Sequence, residues 1–138
     1  MRALGQKHGY YSADAKEAWL IDSTMDFVSD NLGNFIAPMF AQGERKTELL
    51  FELLTKHLPT FLKQAERRLT GRKFVCGDRI TCADFQLGSL LCSAVGNKNN
   101  PNYYATNHVL KAYPAVMSYI ENFKHEMRNY LAARLPAP

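Results

Sequence analysis

Three aspartates are the residues in this sequence whose spacing most directly suggests chemistry. Asp22, Asp26 and Asp30 follow one another at intervals of four residues, so a helix through them would carry all three carboxylates on one face. Like charges at this spacing destabilise a helix by about 0.2–0.5 kcal/mol per pair. The acidic ridge therefore either stays in water, which screens it, or faces cations that another group supplies.

Other chemical motifs are weak. The sequence has no Gly-rich phosphate loop, no GxSxG and no HExxH motif. Its histidines are scattered and its 3 cysteines form no CxxC pair, so we expect no metal site and reduced thiols, as in a cytoplasmic protein. A basic group, defined by Arg67, Arg68, Arg72 and Lys73, could meet phosphates. Because such a group is more often the solvated end of a helix, we do not expect nucleic-acid binding.

The length and composition indicate one domain. The chain has 138 residues, 46% of them hydrophobic, and a net charge of +4, which suffices for one substantial core. No apolar run approaches the roughly 18–20 residues that a membrane span needs, and the N-terminus lacks the apolar region of a signal peptide. We therefore expect no membrane association.

Apolar residues recur at intervals of three and four, which predicts an all-α protein. A D-x-x-E capping box at Asp14 and Glu17 should start a first long helix, which Pro38 should bend near its end. A second long helix should carry apolar residues from Leu50 to Leu69 and kink at Pro59. The predicted inner stripe of the first helix comprises Ile21, Met25, Val28, Leu32, Phe35, Ile36 and Met39.

The segment VCGDRITCADFQLGSLL predicts a third, central helix. Thr81 and Asp84 can form a reciprocal capping box, and Ile80 can pack against Phe85 as a hydrophobic staple. The side chains that follow are almost all apolar, so this helix should be buried. A polar loop, GNKNNPN, should come next, then a helix with Pro114 at its first position, and a last short helix from about Met127 to Leu135.

The order of these motifs resembles the C-terminal helical domain of cytosolic glutathione transferases, most closely the sigma, mu and pi types. The residues that carry the resemblance are RALGQKHGYY, D-x-x-EA-x-L-x-D, G-D-x-x-T-x-A-D-F and a YP-initiated helix. The resemblance implies an all-α bundle of about five to six helices, with two long kinked helices and a central buried helix. Residues 1–12 would be the end of a thioredoxin-side helix plus a linker, and residues 13–138 the helical domain.

The resemblance also implies that the catalytic residue lies outside this chain. In the family, an N-terminal thioredoxin-like domain carries most of the glutathione site, and Met1 would fall inside its last helix. Glutathione would be a co-substrate rather than a tightly bound cofactor. We therefore expect no transferase activity from this chain alone.

The same resemblance implies roles for particular residues. Asp30 corresponds to an acidic residue that reaches across a dimer towards the γ-glutamyl amine of glutathione. Asp22 and Asp26 resemble acidic groups at the dimer interface that meet basic residues of the partner subunit, to which Arg2 corresponds. The electrophile pocket would include Ile36, Met39 and Phe40, although an apolar helical stripe is more often plain core.

A second interpretation is a non-catalytic assembly module, because helical domains of this kind also occur in multiprotein complexes. A chain without the thioredoxin-like domain would expose the apolar face that this domain covers, and a large exposed patch implies a partner. We therefore expect a homodimer or a protein partner on that face. In the catalytic interpretation, the ligands would be glutathione and hydrophobic electrophiles.

Overall fold

The computed structural model describes residues 1–133, which form helices and connecting segments. The α-helices are α1 (Arg2–His8), α2 (Ala15–Phe40), α3 (Gly43–Glu52), α4 (Leu58–Leu69), α5 (Cys82–Leu90), α6 (Tyr103–Leu110), α7 (Pro114–Glu126) and α8 (Arg128–Ala133). A π-helical turn, Leu53–His57, joins α3 to α4, and another, Leu91–Val95, extends α5. The prediction of an all-α bundle is confirmed for this part of the chain, and the predicted end of the last helix at Leu135 lies outside it.

Helix α2 begins where the sequence predicts, but only half of its capping box forms. Asp14 Oδ1 accepts a hydrogen bond of 2.8 Å from the Glu17 amide. The Glu17 carboxylate pairs instead with Arg79, at 2.8 Å. The helix then continues through Pro38 to Phe40.

The second long helix is one rod with a wide turn in its middle. The Leu58 amide bonds to the Leu53 carbonyl, five residues back, directly before Pro59, which has no amide hydrogen to continue the α-helical pattern. The predicted irregularity at Pro59 therefore takes the form of a π-helical turn. The inner face of the rod is buried from Leu58 through Phe61 to Leu69.

Helix α5 lies at the centre of the bundle, as predicted, and packs mainly on α2. Leu87 and Leu91 are fully buried. Gln86 Nε2 donates to the Met25 carbonyl at 3.2 Å and to Ser29 Oγ at 2.8 Å. These bonds fix α5 against the middle of α2, next to the acidic ridge.

Helix α7 starts at Pro114, as predicted, and a side chain from α4 caps it. The two Glu66 carboxylate oxygens accept hydrogen bonds from the amides of Ala115 and Val116, at 3.0 and 2.9 Å. An anion at a helix N-terminus accepts hydrogen bonds from amides that lack a partner in the helix, and it interacts favourably with the positive end of the helix dipole.

Helix α6, by contrast, was not predicted. No helix in the described part of the chain is long and apolar enough to cross a membrane.

Candidate functional site

The first two aspartates of the ridge are paired within the chain. Arg2 Nε lies 2.6 Å from Asp22 Oδ1, and an Arg2 terminal nitrogen lies 3.3 Å from Asp26 Oδ1. The Tyr11 hydroxyl donates to Asp22 Oδ2 at 2.8 Å. The hydrogen bond from Arg2 is the largest cause of a pKa lowered below the ordinary value for Asp22.

Within one chain, Arg2 already pairs with both Asp22 and Asp26. The reason is the linker, which folds α1 back so that Arg2 reaches the first half of α2. The ridge is therefore partly neutralised without a second subunit. The contact of these aspartates with basic residues of a partner subunit, which the resemblance implies, stays a prediction.

Two further contacts hold the linker to the bundle. Arg79 bonds to the Glu17 carboxylate and donates to the Gly9 carbonyl at 3.3 Å, and its hydrogen bond is the largest cause of a lowered pKa for Glu17. The Cys82 amide donates to the Tyr10 carbonyl at 2.9 Å. Sequence reasoning missed Arg79 because no local pattern links it to a residue 62 positions away.

Asp30 differs from the other two aspartates. It is exposed, and its carboxylate has no hydrogen-bond or ion-pair partner within residues 1–133. It belongs to an exposed stripe of α2, which we call the α2 stripe and define as Asp26, Asp30, Gly33, Ala37 and Phe40. Intervals of four and three residues keep these positions on one side of the helix.

The α2 stripe combines a free carboxylate, a flat middle and an exposed ring. A Cβ atom built on Gly33 would have no neighbour within 4 Å, so the surface beyond Asp30 is open. The Phe40 side chain is 83% exposed and lies ten residues from Asp30, about 15 Å along the helix axis. The stripe can therefore meet a ligand that has a cationic group at one end and an apolar group at the other.

The structure separates the three predicted pocket residues. Ile36 and Met39 line a groove of about 480 Å³ between the end of α2, α3 with its π-helical turn, the second π-helical turn and the loop before α6. Phe40 does not line this groove. Sequence periodicity could not divide these residues, because the groove depends on elements that are remote in the sequence.

The capping box at the start of α5 is present, and it has a partner that the sequence did not reveal. Asp84 Oδ2 accepts from the amide and the hydroxyl of Thr81, both at 2.8 Å. Asp84 Oδ1 accepts from the Val75 amide at 2.9 Å. Burial raises the pKa of Asp84 against the opposing effect of these hydrogen bonds. Asp84 therefore joins the loop before α5 to the helix itself.

The two residues of the predicted staple flank this box. Ile80 and Phe85 are both half-buried. The Phe85 ring meets the Tyr10 ring edge-on, with centroids 5.0 Å apart. Phe85 therefore also packs against the linker.

The basic group is partly used in packing. The Arg68 guanidinium lies 4.4 Å from the centroid of the Phe27 ring, and desolvation lowers its pKa. Arg72 donates to the Val75 carbonyl at 3.1 Å. These contacts favour the interpretation of this group as a helix end rather than a phosphate site. Within residues 1–133 no set of three or more His, Cys, Asp or Glu side chains could hold a metal ion.

Comparisons with known proteins agree with the resemblance in the sequence. Residues 29–134 match the family model described as "Glutathione S-transferase, C-terminal domain". The chain is 32% identical to "Glutathione S-transferase P" of Bos taurus over 66% of its own length and 43% of the relative. It is 28% identical to "Glutathione S-transferase P 1" of Xenopus laevis over 88% of its length and 53% of the relative.

A similar match is found with the human protein. The chain is 31% identical to "Glutathione S-transferase P" of Homo sapiens, again over 66% of its length and 43% of the relative. The chain thus spans about half of the length of the curated relatives it matches. With the family model covering most of the chain and a helical bundle in the structure, this chain belongs to the glutathione S-transferase C-terminal domain family.

Proposed function

We propose that this chain is the helical part of a glutathione transferase that conjugates glutathione to hydrophobic electrophiles. A thioredoxin-like domain would supply the group that stabilises the glutathione thiolate, since the thiolate is the nucleophile. The helical domain would then supply a carboxylate for the glutathione amine and an apolar surface for the electrophile. The chain alone would have no transferase activity.

The observation that carries this proposal is the free carboxylate of Asp30. Arg2 meets Asp22 and Asp26, which leaves Asp30 as the member of the ridge that can bind an external cation. An ammonium group forms charge-assisted hydrogen bonds with a carboxylate, and these are stronger than neutral ones. We propose that Asp30 binds the γ-glutamyl amine of glutathione held by the second subunit of a dimer.

The apolar part of the proposed site lies towards the end of α2. The Phe40 ring, with most of its surface exposed, would lie against the electrophile, while Ile36 and Met39 would form the wall next to the groove. Gly33 and Ala37 leave the surface between Asp30 and Phe40 free of large side chains. Because apolar contacts discriminate weakly among small apolar groups, the selectivity for electrophiles should be low.

The test is a kinetic comparison in a completed protein, in which a thioredoxin-like domain of a pi-type glutathione transferase precedes this chain. Turnover of glutathione with an aryl halide is measured while each substrate is varied in turn. Asp30→Ala should raise the KM for glutathione roughly fivefold, as expected for a partly exposed charge pair. Phe40→Ala should raise the KM for the aryl halide and leave the KM for glutathione unchanged.

Asp78→Ala is the matched control, since it removes an exposed carboxylate far from the α2 stripe in the sequence. An unchanged KM for glutathione in Asp30→Ala would contradict the proposed role of this residue. Clear turnover by the purified chain alone would contradict the proposal that the thiolate-stabilising group lies outside it.

A further inference from the structure

A polar cavity lies between the loop after the second π-helical turn, α6 and α7. Its volume is about 550 Å³, within the range of roughly 300–1,000 Å³ that is typical of small-molecule sites. Leu110, Met117 and Ile120 contribute apolar surface, and most of the other lining side chains are polar or charged. The cavity shares no lining residue with the groove beside α2 or with the α2 stripe. It is therefore separate from the site proposed for glutathione and the electrophile.

Two ammonium groups line this cavity from different elements. Lys98 is exposed in the loop, and its ammonium has no acidic or hydrogen-bonding partner within residues 1–133. Lys124 is half-buried on α7, and its ammonium nitrogen would lie 3.5 Å from a Cβ atom built on Gly96. The Glu121 carboxylate lies 3.4 Å from Lys124 and is mostly in solvent, so this ion pair contributes little free energy. The cavity therefore offers one unpaired cation and one weakly paired cation.

Three uncharged polar side chains of the cavity also lack protein partners. The side-chain amides of Asn107 on α6 and Asn122 on α7 make no hydrogen bond in the described part of the chain, and neither does the Ser118 hydroxyl. Amide and hydroxyl groups can both donate and accept hydrogen bonds, so they suit the hydroxyl groups of a ligand. The Glu121 carboxylate can accept from a further hydroxyl and would repel a second anionic group.

From this chemistry we infer that the cavity binds a phosphate monoester of a sugar or another polyol. A phosphate monoester carries about −1.5 to −2 charges at pH 7, so it matches two ammonium groups better than a carboxylate does. The phosphate would lie between Lys98 and Lys124, since lysine binds phosphate as a point charge. The hydroxyl groups would lie at Asn107, Asn122 and Ser118. This inference goes beyond the proposed function, because it needs neither glutathione nor a second domain.

The test is a titration of the ¹⁵N-labelled chain with glucose 6-phosphate, followed by amide chemical shifts. Inorganic phosphate supplies the anion without the sugar, and glucose supplies the sugar without the anion. We expect saturable shifts that are concentrated at residues of the cavity, and tighter binding of glucose 6-phosphate than of either reference ligand. Lys98→Gln should weaken glucose 6-phosphate binding roughly fivefold, the effect of one partly exposed charge pair.

A second variant tests the polyol part of the ligand. Asn122→Leu removes the amide while keeping a side chain of similar size. It should weaken glucose 6-phosphate binding roughly threefold, the effect of one hydrogen bond, and leave the binding of inorganic phosphate unchanged. Equal affinities of the wild type for glucose 6-phosphate and inorganic phosphate would overturn the assignment of a polyol ligand.

Lys111→Gln is the matched control, because it removes one positive charge next to α6 from an exposed residue that does not line the cavity. It should leave the affinity for glucose 6-phosphate unchanged. Absence of saturable shifts, shifts outside the cavity, or an unchanged affinity in Lys98→Gln would overturn the inference. The outcome is independent of conjugation: glucose 6-phosphate binding that requires Lys98 would support the inference even if the completed protein showed no transferase activity.

Discussion

Arg2 and Asp22 are 20 residues apart in the sequence, yet Arg2 Nε and Asp22 Oδ1 lie 2.6 Å apart. Tyr11 bonds to the other oxygen of the same carboxylate, so one aspartate of α2 receives a group from α1 and a group from the linker. Both side chains of the ion pair remain partly in solvent, and exposed pairs contribute little free energy. The main consequence is geometric, because the contact fixes α1 relative to α2.

The pairing of Asp22 should make stability depend on pH in the acid range. Its folded-state pKa is lowered from the ordinary value of 3.8, so the stability that this group contributes is present above pH 3.8 and is lost as the pH falls through the lowered pKa. Asp22→Asn should therefore lower Tm at pH 7, and its difference from the wild type should shrink near pH 2. Thermal unfolding followed by circular dichroism at both pH values measures this.

Asp30→Asn serves as the control for that experiment, since Asp30 has no partner within residues 1–133. Its Tm at pH 7 should be close to that of the wild type. A difference between wild type and Asp22→Asn that stays constant from pH 7 to pH 2 would show that Asp22 acts through packing rather than through its charge.

The stability of the protein should depend on the carboxylate of Asp84. In Asp84→Asn an amide NH₂ replaces one oxygen and faces either the Val75 amide or the Thr81 donors, which leaves a buried donor without an acceptor. The free energy of unfolding should fall by about 1–3 kcal/mol. Asp78→Asn makes the same chemical change at an exposed position and should stay within about 0.5 kcal/mol of the wild type. Urea unfolding gives both values, and equal values for the two variants would refute the structural role of Asp84.

Two glycines should respond in opposite directions to replacement by alanine. A Cβ atom on Gly88 would lie 2.6 Å from ring atoms of Phe123, a residue of α7 that is itself buried. Gly88→Ala should therefore destabilise the protein by about 1–3 kcal/mol through overpacking. Gly33 lies in the middle of α2 with open space around it, so Gly33→Ala should stabilise by roughly 0.5–1 kcal/mol.

The urea midpoints of these two variants provide the measurement. The double variant Gly88→Ala with Phe123→Leu should recover part of the loss, since the smaller side chain makes room for the new methyl group. A neutral effect of Gly88→Ala would mean that α5 and α7 can separate without cost, contrary to the close approach in the structure.

The sequence alone determined the helix class and several helix starts. These depend on contacts within one turn: Asp14 caps the Glu17 amide, Thr81 and Asp84 form their box three residues apart, and Pro114 occupies the first turn of α7. Because such signals are local, they can be recognised in a sequence. The same motifs carry the resemblance to glutathione transferases, and this resemblance agrees with the match of residues 29–134 to the family model.

The tertiary structure decided which groups are paired and which are free. Three equally spaced aspartates look alike in the sequence, but only the fold of the linker brings Arg2 and Tyr11 to Asp22 and leaves Asp30 in solvent. The hydrogen bond from the Val75 amide to Asp84 and the groove lined by Ile36 and Met39 likewise form where segments distant in the sequence meet. The periodicity of a sequence indicates which side of a helix is apolar, whereas the partner of each side chain depends on how the helices pack. The packing of α2 against its neighbours places Ile36 and Met39 in the groove and leaves Phe40 outside it.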